Sequence, residues 1–392
     1  MGINSDIIIE MSNLARRDNS KYKIDATKGM LYLENKKLAK SKVFTKSMKK
    51  EINYSREYIT KVEEDKFKET VIKYLGLKEI KDKINVSYSC GGTGALNFAL
   101  KKYCSNKTLF LPHIRWSNYD LICKENHVRI IEYYIYDNKG VNLTDLKKQI
   151  DNIKENEINI LLNDPCHNPT GLSLSYEQWD KLFEKLIKLN VYKKVNLIID
   201  IAYLDFTEKP KYLIKYLLSN KLDGLNIILC YSFSKSLSIY GMRFGTIIHI
   251  SNNIKNKEEF KIKVKDYNRS TFSSSSTLLV KSFNRIMSND RLIRKLIKEK
   301  NKYKNELVIR KNMFVKEMEK NGITKIFVGG FFAFYQTKDS FSVSELLIKE
   351  HIYVVPLKEG IRISIASINK KELKILSNNL AKCINFQKNR LN

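Results

Sequence analysis

Lys235 stands in a setting that suits an amine nucleophile. It lies in the segment Tyr231–Gly245, among small hydroxyl residues and ahead of Arg243. The apolar run before it, Leu225–Cys230, predicts a buried strand that delivers the lysine to the end of a sheet. A partly desolvated amine loses its proton more readily, and hydroxyl groups with a guanidinium bind phosphate. The segment therefore predicts Schiff-base chemistry with pyridoxal phosphate (PLP).

Asp200 ends another apolar run, Asn196–Asp200, and Tyr203 follows it. A carboxylate in such a position is costly to bury unless it meets a cation or hydrogen-bond donors. The protonated ring nitrogen of PLP is such a cation, and PLP sites use an aspartate there. The alternative interpretation is a helix cap, which is a common role for a strand-end aspartate.

Three further segments have features of a cofactor site. Cys90–Leu96 follows a strand pattern and opens a helix, and its glycines allow a phosphate to approach the backbone amides. Asn163–Gly171 contains an Asn-Pro-Thr-Gly turn, in which the Asn168 amide can donate a hydrogen bond. Trp116 follows a strand pattern and offers a flat face to a planar ring, although a lone tryptophan is more often part of a core.

Together these segments resemble the class I/II aminotransferases, which are fold-type I PLP enzymes, and in particular their aspartate and aromatic branch. The resemblance is carried by S-F-S-K…Y-G-x-R-x-G around Lys235, D-x-A-Y at Asp200, and C-H-N-P-T-G in the turn. It implies that an amino group moves from an L-amino acid (aspartate, glutamate or aromatic) to a 2-oxo acid by a ping-pong mechanism. Lys235 would hold PLP as a Schiff base and carry the proton.

The resemblance also implies roles for individual residues. No metal is expected, because metal-ligating residues do not cluster in the sequence. The catalytic residues would be Lys235, Asp200 and Tyr203. The cofactor-binding residues would be Gly92, Thr93, Trp116, Asn168, Asp200, Tyr203, Ser232, Ser234, Lys235, Arg243 and Tyr58. The substrate-binding residues would be Gly29, Trp116, Asn168, Arg362 and Arg269.

The resemblance assigns substrate binding to two arginines, and it implies that one of them and a tyrosine act in the neighbouring subunit. Arg362 would bind the substrate α-carboxylate, a bidentate contact that suits a guanidinium. Arg269 would clamp a side-chain carboxylate, and Tyr58 would reach a phosphate, in each case in the neighbouring subunit. The resemblance therefore implies a homodimer with shared active sites.

The chain departs from the family pattern close to the implied site. Tyr119 stands where a histidine usually lies behind the aspartate, and Lys28 replaces an apolar neighbour of Gly29. A phenol can still hydrogen-bond a carboxylate. Phe331, Phe332 and Phe334 are candidates to line an apolar pocket for an aromatic substrate, or they belong to a core.

From about residue 84, strand patterns alternate with helical patterns, which predicts an α/β fold with a mostly parallel sheet between helices. Predicted strands are 85–89, 108–111, 129–134, 159–163, 196–200, 226–231 and 245–250. Predicted helices are 94–103, 143–153, 176–189 and 212–218, and a long helical stretch follows at about 278–320. The resemblance implies a fold-type I PLP transferase with a seven-stranded sheet. It also implies a large PLP-binding domain of residues 39–302 and a smaller α/β domain formed by residues 1–38 and 303–392.

The composition leaves other functions to consider. A formal charge of +29 makes nucleic acid an alternative partner, but the basic residues are dispersed, as on solvated helix faces. Without a long apolar run or a secretory signal pattern, neither a membrane nor secretion is expected.

Six scattered cysteines without a CxxC pair predict reduced thiols in a cytoplasmic protein. The competing functions are a PLP-dependent β-lyase or decarboxylase on the same fold and, last, a basic non-enzymatic binding protein.

Overall fold

The structure is a computed structural model and describes residues 7–137, 140–208, 211–219, 222 and 224–391. Its helices are α1 (Ile7–Arg17), α2 (Lys42–Glu51), α3 (Lys61–Leu75), α4 (Gly91–Ala99), α5 (Asn118–Glu125), α6 (Thr144–Asn152), α7 (Tyr176–Asn190), α8 (Tyr212–Ser219), α9 (Phe233–Ser236), α10 (Ile254–Thr271), α11 (Thr277–Met287), α12 (Asp290–Lys320), α13 (Ser340–Lys349) and α14 (Lys370–Leu391). Its strands are β1 (Ile24–Asp25), β2 (Ile84–Cys90), β3 (Thr108–Pro112), β4 (Arg129–Tyr133), β5 (Tyr136–Asp137), β6 (Gly140–Val141), β7 (Glu157–Asn163), β8 (Lys194–Asp200), β9 (Asn226–Ser232), β10 (Phe244–Ile250), β11 (Phe327–Gly329), β12 (Phe332–Gln336), β13 (Ile352–Tyr353), β14 (Val355–Leu357) and β15 (Gly360–Ser364).

The central sheet has seven strands in the order β2-β10-β9-β8-β7-β3-β4. The strands from β9 to β4 pair in parallel, and β10 is antiparallel to both of its neighbours. Each strand overlaps one predicted from the sequence, so the prediction of a mostly parallel α/β fold is confirmed. Because β7, β8 and β9 point the same way, their carboxyl ends meet at one edge of the sheet. This edge brings Asn163, Asp200 and Ser232 together.

A row of buried polar side chains crosses the sheet at the opposite edge. Asn196 Nδ2 donates to Asn159 Oδ1 at 2.7 Å, and Asn226 Nδ2 donates to Asn196 Oδ1 at 2.6 Å. His249 on β10 extends the row, with its Nε2 2.6 Å from Asn226 Oδ1. A slip of one residue in any of these strands would turn its side chain to the other face and break the row. The row therefore specifies the register of the parallel strands.

Two predicted helices differ in extent from the structure. The stretch 278–320 is divided into α11 and α12, because Asn289 has an extended backbone and its side chain accepts a hydrogen bond from Leu292 N as an N-cap. Helix α4 begins at Gly91, earlier than predicted, because the glycine-containing segment after β2 itself forms the first helical turn. Glycines lower intrinsic helix propensity, so the local pattern placed the start too late.

A second sheet, in the order β11-β12-β15-β14, packs with α12, α13 and α14 around a separate apolar core. Strand β1 pairs with β13, so the N-terminal segment returns to the C-terminal part of the chain. The division into domains at 38/39 and 302/303 stays a prediction, and the second of these positions lies inside α12. Within the described ranges, no helix is long and apolar enough to cross a membrane.

Candidate active site

A cavity of about 280 Å³ opens at the carboxyl ends of β7, β8 and β9, against Phe332 of β12 and Arg362 of β15. This volume is close to the lower end of the roughly 300–1,000 Å³ common for small-molecule sites. The structure brings most of the predicted site residues to its lining: Gly29, Gly92, Thr93, Trp116, Asn168, Asp200, Tyr203, Ser232, Lys235, Arg243 and Arg362. Residues far apart in the sequence therefore converge as the motifs predicted.

The Lys235 amine lies in a buried, partly aromatic environment. Its Nζ donates to the Gly29 carbonyl oxygen at 2.7 Å and lies 5.3 Å from the Tyr240 ring centre and 5.8 Å from that of Tyr203. Burial lowers the pKa of Lys235 to about 8, and the charges of Arg243 and Arg362 act in the same direction. More of this amine is therefore unprotonated, and nucleophilic, near neutral pH than is usual for a lysine.

The Asp200 carboxylate is held by two donors at the end of β8. Its Oδ1 accepts from Ala202 N at 3.0 Å, and its Oδ2 accepts from the Tyr119 hydroxyl at 2.7 Å. Burial raises the pKa of Asp200 to about 6, although the hydrogen bonds from Tyr119 and Ala202 and the charge of Lys235 favour the ionised form. A buried carboxylate of this kind is stabilised by a cation placed beside it in the cavity.

The N-terminus of α4 forms an anion-binding corner with Ser232 and Arg243. A Cβ atom on Gly91 would lie 2.6 Å from Arg243 Nη2, and one on Gly92 would lie 3.2 Å from Ser232 Cβ. Gly91 also has a φ of +70°, so glycine is required there for conformation as well as for space. Backbone amides at a helix N-terminus, a hydroxyl and a guanidinium suit a phosphate group.

Arg362 lines the cavity from the centre of β15. Its Nη2 donates to the Thr27 carbonyl oxygen at 2.5 Å, and its Nη1 donates to Asn168 Oδ1 at 3.4 Å. The guanidinium carbon lies 5.0 Å from the Phe332 ring centre. The guanidinium is thus oriented by neighbours on three segments while it lines the cavity.

These residues fit PLP. The lining supplies an amine for its aldehyde, a buried carboxylate for its ring nitrogen and an anion-binding corner for its phosphate. Trp116 provides an aromatic face and is itself held edge-on by Tyr119, with ring centres 5.4 Å apart at 81°.

Three predicted site residues lie outside this lining. Ser234 is buried, and its hydroxyl exchanges hydrogen bonds with the Phe244 backbone at 3.2 and 3.3 Å. Tyr58 is 82% exposed at the surface. Arg269 lies in a separate groove and donates from Nη1 to Ser273 Oγ at 2.9 Å. The prediction that Tyr58 and Arg269 serve a neighbouring subunit requires them to lie away from this chain's own cavity.

The structure also settles the positions of the other aromatic and basic candidates. Phe332 lines the cavity, whereas Phe331 packs on Phe206 with ring centres 4.8 Å apart, and Phe334 is buried outside the lining. Lys28 Nζ forms an ion pair with Asp25 Oδ2 at 2.8 Å instead of lining the cavity.

Several lining residues were not predicted from the sequence. They are Ile8, Met30, Leu96, Asn163 and Ala202. The position of Asn163 could have been inferred from the sequence, because it ends a predicted strand as Asp200 does. In the structure the two residues are partners in register at the ends of β7 and β8. The position of Ile8 could not, since its place in the lining depends on how α1 packs against the rest of the chain.

Known proteins share both the sequence pattern and the fold. The sequence profile of the family described as "Aminotransferase class I and II" matches residues 26–380. A mitochondrial aspartate aminotransferase of Dictyostelium discoideum is 28% identical over 396 residues, covering 96% of this chain and 90% of that protein. An aminotransferase structure from Anaerococcus prevotii is 26% identical, with a TM-score of 0.89 and 97% of each chain covered. An aromatic-amino-acid aminotransferase from Burkholderia pseudomallei, solved covalently bound to PLP, shares the fold at 21% identity, with a TM-score of 0.81 and 98% of each chain covered.

The chain belongs to the aminotransferase class I and II family and is a PLP-dependent transaminase. Its substrates are therefore an amino acid and a 2-oxo acid. The alternatives of a lyase, a decarboxylase and a basic binding protein are not favoured by these relationships.

Proposed function

We propose that this cavity is the transamination site, and that it exchanges the amino group of an L-amino acid, either a dicarboxylic or an aromatic one, with a 2-oxo acid. The observation that carries the proposal is the convergence of the Lys235 amine, the Asp200 carboxylate and the Arg362 guanidinium on one cavity. The three groups provide a base, a partner for a cationic ring and a clamp for a carboxylate.

PLP, when bound, supplies an aldehyde for amine exchange and a cationic ring that delocalises the electrons left when the substrate Cα–H bond breaks. Asp200 would face the ring nitrogen, and Gly92, Thr93, Ser232 and Arg243 would hold the phosphate. Trp116 would stack on the ring face, and Asn168 and Tyr203 would flank the ring.

Lys235 and Arg362 act on the substrate itself, by proton transfer and by carboxylate binding. In its unprotonated form, the Lys235 amine would take the proton from the substrate Cα and would return it to the carbon on the other side of the substrate nitrogen, which is the aldehyde carbon of free PLP. Arg362 holds the α-carboxylate through two parallel hydrogen bonds, which fixes the Cα–H bond relative to the amine. Arg362 is buried and Lys235 is partly buried, so water competes weakly for these contacts.

The choice between substrate classes depends on a second cation. Among the described residues that line the cavity, the guanidiniums are Arg243, which lies in the anion-binding corner, and Arg362. The second carboxylate of aspartate or glutamate would therefore need Arg269 from a partner subunit. An aromatic side chain would instead pack on apolar lining residues such as Phe332 and Ile8. Curated relatives named as aspartate aminotransferases support the first class, and a structural neighbour named for aromatic amino acids is consistent with the second.

A homodimer is part of the proposal. Arg269 lies in a groove of about 740 Å³ that also includes Ile59, the residue after the exposed Tyr58. The test is to mix the inactive variants Lys235→Ala and Arg269→Ala under conditions of subunit exchange. Recovery of activity with aspartate supports shared sites, because a hybrid dimer then contains one intact site. Failure to recover activity, with exchange demonstrated, contradicts them.

We also propose a cytoplasmic location, supported by cysteines that are all free in the described structure. The curated relatives include both cytoplasmic and mitochondrial proteins. Fractionation of cells that express the protein would test this proposal.

The function is tested by loading the protein with PLP and adding single amino acids. Conversion of the cofactor to pyridoxamine phosphate by aspartate, glutamate or tyrosine would support transamination and rank the donors. Lys235→Ala should abolish the conversion while binding of the cofactor continues. Release of pyruvate and ammonia without a 2-oxo acid acceptor would instead support a β-lyase.

A further inference from the structure

A histidine side chain bridges the two sheets. His113 follows β3, three residues before Trp116. Its Nδ1 lies 2.9 Å from Glu132 Oε2 on β4, and its Nε2 lies 2.8 Å from Glu359 Oε1. Glu359 belongs to the turn between β14 and β15, and β15 carries Arg362. The bridge therefore links the segment of Trp116 to the strand of Arg362.

Both ring nitrogens of His113 lie within hydrogen-bond distance of a carboxylate oxygen. One imidazole therefore contacts a carboxylate on each side, and the position of its ring depends on both partners.

The two carboxylate partners of His113 have different surroundings, because Glu132 also contacts a guanidinium. Arg115 Nη1 donates to Glu132 Oε1 at 2.7 Å and to the His113 carbonyl oxygen at 3.3 Å, and the same guanidinium pairs with Asp120. The Tyr134 ring lies beside the imidazole, with centres 4.6 Å apart.

Glu132 is consequently held by His113 and by the Arg115 guanidinium. Although its burial acts to raise the pKa of Glu132, the hydrogen bonds from His113 and Arg115 hold that pKa below its usual value. Glu132 thus stays ionised and anchors one side of His113. The other side of the imidazole holds Glu359 of the small sheet.

The other histidines do not make such a link. Burial lowers the pKa of His167 and of His249 to about 3, so both stay neutral in the physiological range. His127 is exposed, and His351 pairs with Asp18 in the N-terminal segment.

We propose that His113 is a positioning residue that acts through Glu359 on Arg362. Its two ring contacts hold the strand that carries Arg362 relative to the segment that carries Trp116. Substrate affinity then depends on this bridge, and the KM for the amino donor rises when the bridge is removed. The inference rests on the proposed role of Arg362 in binding the substrate carboxylate.

The test compares kcat and KM of wild type, His113→Gln and Glu359→Gln at one pH near neutrality. We expect each variant to raise KM about fivefold, the equivalent of about 1 kcal/mol for a part-exposed contact, with kcat nearly unchanged. The double variant should be no worse than either single one, because both remove the same contact.

Two further variants separate a positioning role from a merely structural one. His113→Arg keeps a side chain with several donors between the two carboxylates, so its KM should stay closer to the wild-type value than that of His113→Gln. His127→Asn removes an exposed histidine whose φ of +54° an asparagine tolerates, and it should follow wild type.

The outcomes distinguish this inference from the proposed function. If Arg362→Lys raises KM while His113→Gln and Glu359→Gln follow wild type, the positioning role is overturned and the function stands. If His113→Gln raises KM but Arg362→Lys does not, the inference is also overturned, because its content is the coupling to Arg362. A KM rise in all three variants, with near-normal kcat in the two bridge variants, supports it.

Discussion

The Tyr119 hydroxyl donates a 2.7 Å hydrogen bond to Asp200 Oδ2 in the wall of the candidate cofactor cavity. Tyr119 is fully buried, and burial together with the adjacent Asp200 charge raises the pKa of its hydroxyl well above the usual value. The hydroxyl therefore remains a neutral donor across the working pH range. It stabilises the ionised form of Asp200 without changing the net charge of the site.

Replacing Tyr119 by Phe should weaken the ionised state of Asp200. Removal of the donor raises the pKa of Asp200 above about 6, so more of the carboxyl is protonated near neutrality. A hydrogen bond to a charged group contributes about 1.5–3 kcal/mol, so we expect kcat/KM to fall roughly tenfold or more at neutral pH. The acid limb of its pH profile should move to higher pH.

The matched control for this change is Tyr133→Phe. The Tyr133 hydroxyl is also buried, but it donates to the Leu161 carbonyl oxygen at 3.2 Å. Tyr119→His offers a different donor at the same place and should retain more activity than Tyr119→Phe. An acid limb identical in wild type and Tyr119→Phe would show that this hydrogen bond does not tune Asp200.

The reactivity of the apoprotein amine should follow the lowered pKa of Lys235. Only the neutral amine attacks an aldehyde, so the rate of covalent PLP attachment should rise with pH up to about 8 and then level off. Attachment can be trapped by borohydride reduction and measured by mass. Lys235→Ala should lose it, whereas Lys298→Ala, at an exposed position on α12, should not. A rate that levels off only near pH 10.4, the usual value for lysine, would contradict the prediction.

Lys300→Met should destabilise the protein through Asp205. Lys300 Nζ lies 2.7 Å from Asp205 Oδ1, and the two side chains are only 17% and 3% exposed. Without this cation the buried carboxylate loses its main partner, and we expect the free energy of unfolding to fall by about 3 kcal/mol. Denaturant titration would measure the change. Lys298→Met on the exposed face should change it by less than about 0.5 kcal/mol.

The same pair gives a pH signature. Burial acts to raise the pKa of Asp205, but the charges of Lys300 and Lys211 lower it below its usual value. A carboxylate with a lowered pKa in the folded state contributes stability above its unfolded pKa of about 3.9 and loses it as pH falls. The difference between wild type and Lys300→Met should therefore shrink in acid. A constant difference would exclude the ionic contribution.

Asn196→Leu should test the polar row that crosses the central sheet. The change leaves Asn159 Oδ1 and the Asn226 amide without their shared partner, at about 1–3 kcal/mol for each buried group. The measurement is the free energy of unfolding. Ile198→Leu, two residues further along β8, conserves volume and should cost less than about 1.5 kcal/mol. Because the row lies at the edge opposite the cavity, kcat of the folded protein should be unchanged. A large loss of kcat would contradict the prediction that the row contributes only to stability.

The amino-acid sequence determined the fold class and most of the candidate site. Strand patterns ended at Asp200 and just before Lys235, and a parallel sheet brings the carboxyl ends of its strands to one edge. The motif at Asn168 and the glycine turn at Gly92 are local features of the backbone. Their positions could be inferred because each depends on a few adjacent residues.

The tertiary structure decided which of several similar residues face the cavity. Phe332 lines it while the adjacent Phe331 packs into a core, and Ser232 lines it while Ser234 binds backbone atoms. Neighbouring residues of the same type have nearly the same local signal. The direction of each side chain depends on which distant element packs against it.

The contacts that tune and position the site were also decided by tertiary structure. Tyr119 is 81 residues from Asp200 in sequence, and His113 is 246 residues from Glu359. No periodicity connects residues at such separations. They meet only because strand order places their segments side by side, and burial there sets the strength of each hydrogen bond and the pKa of each group.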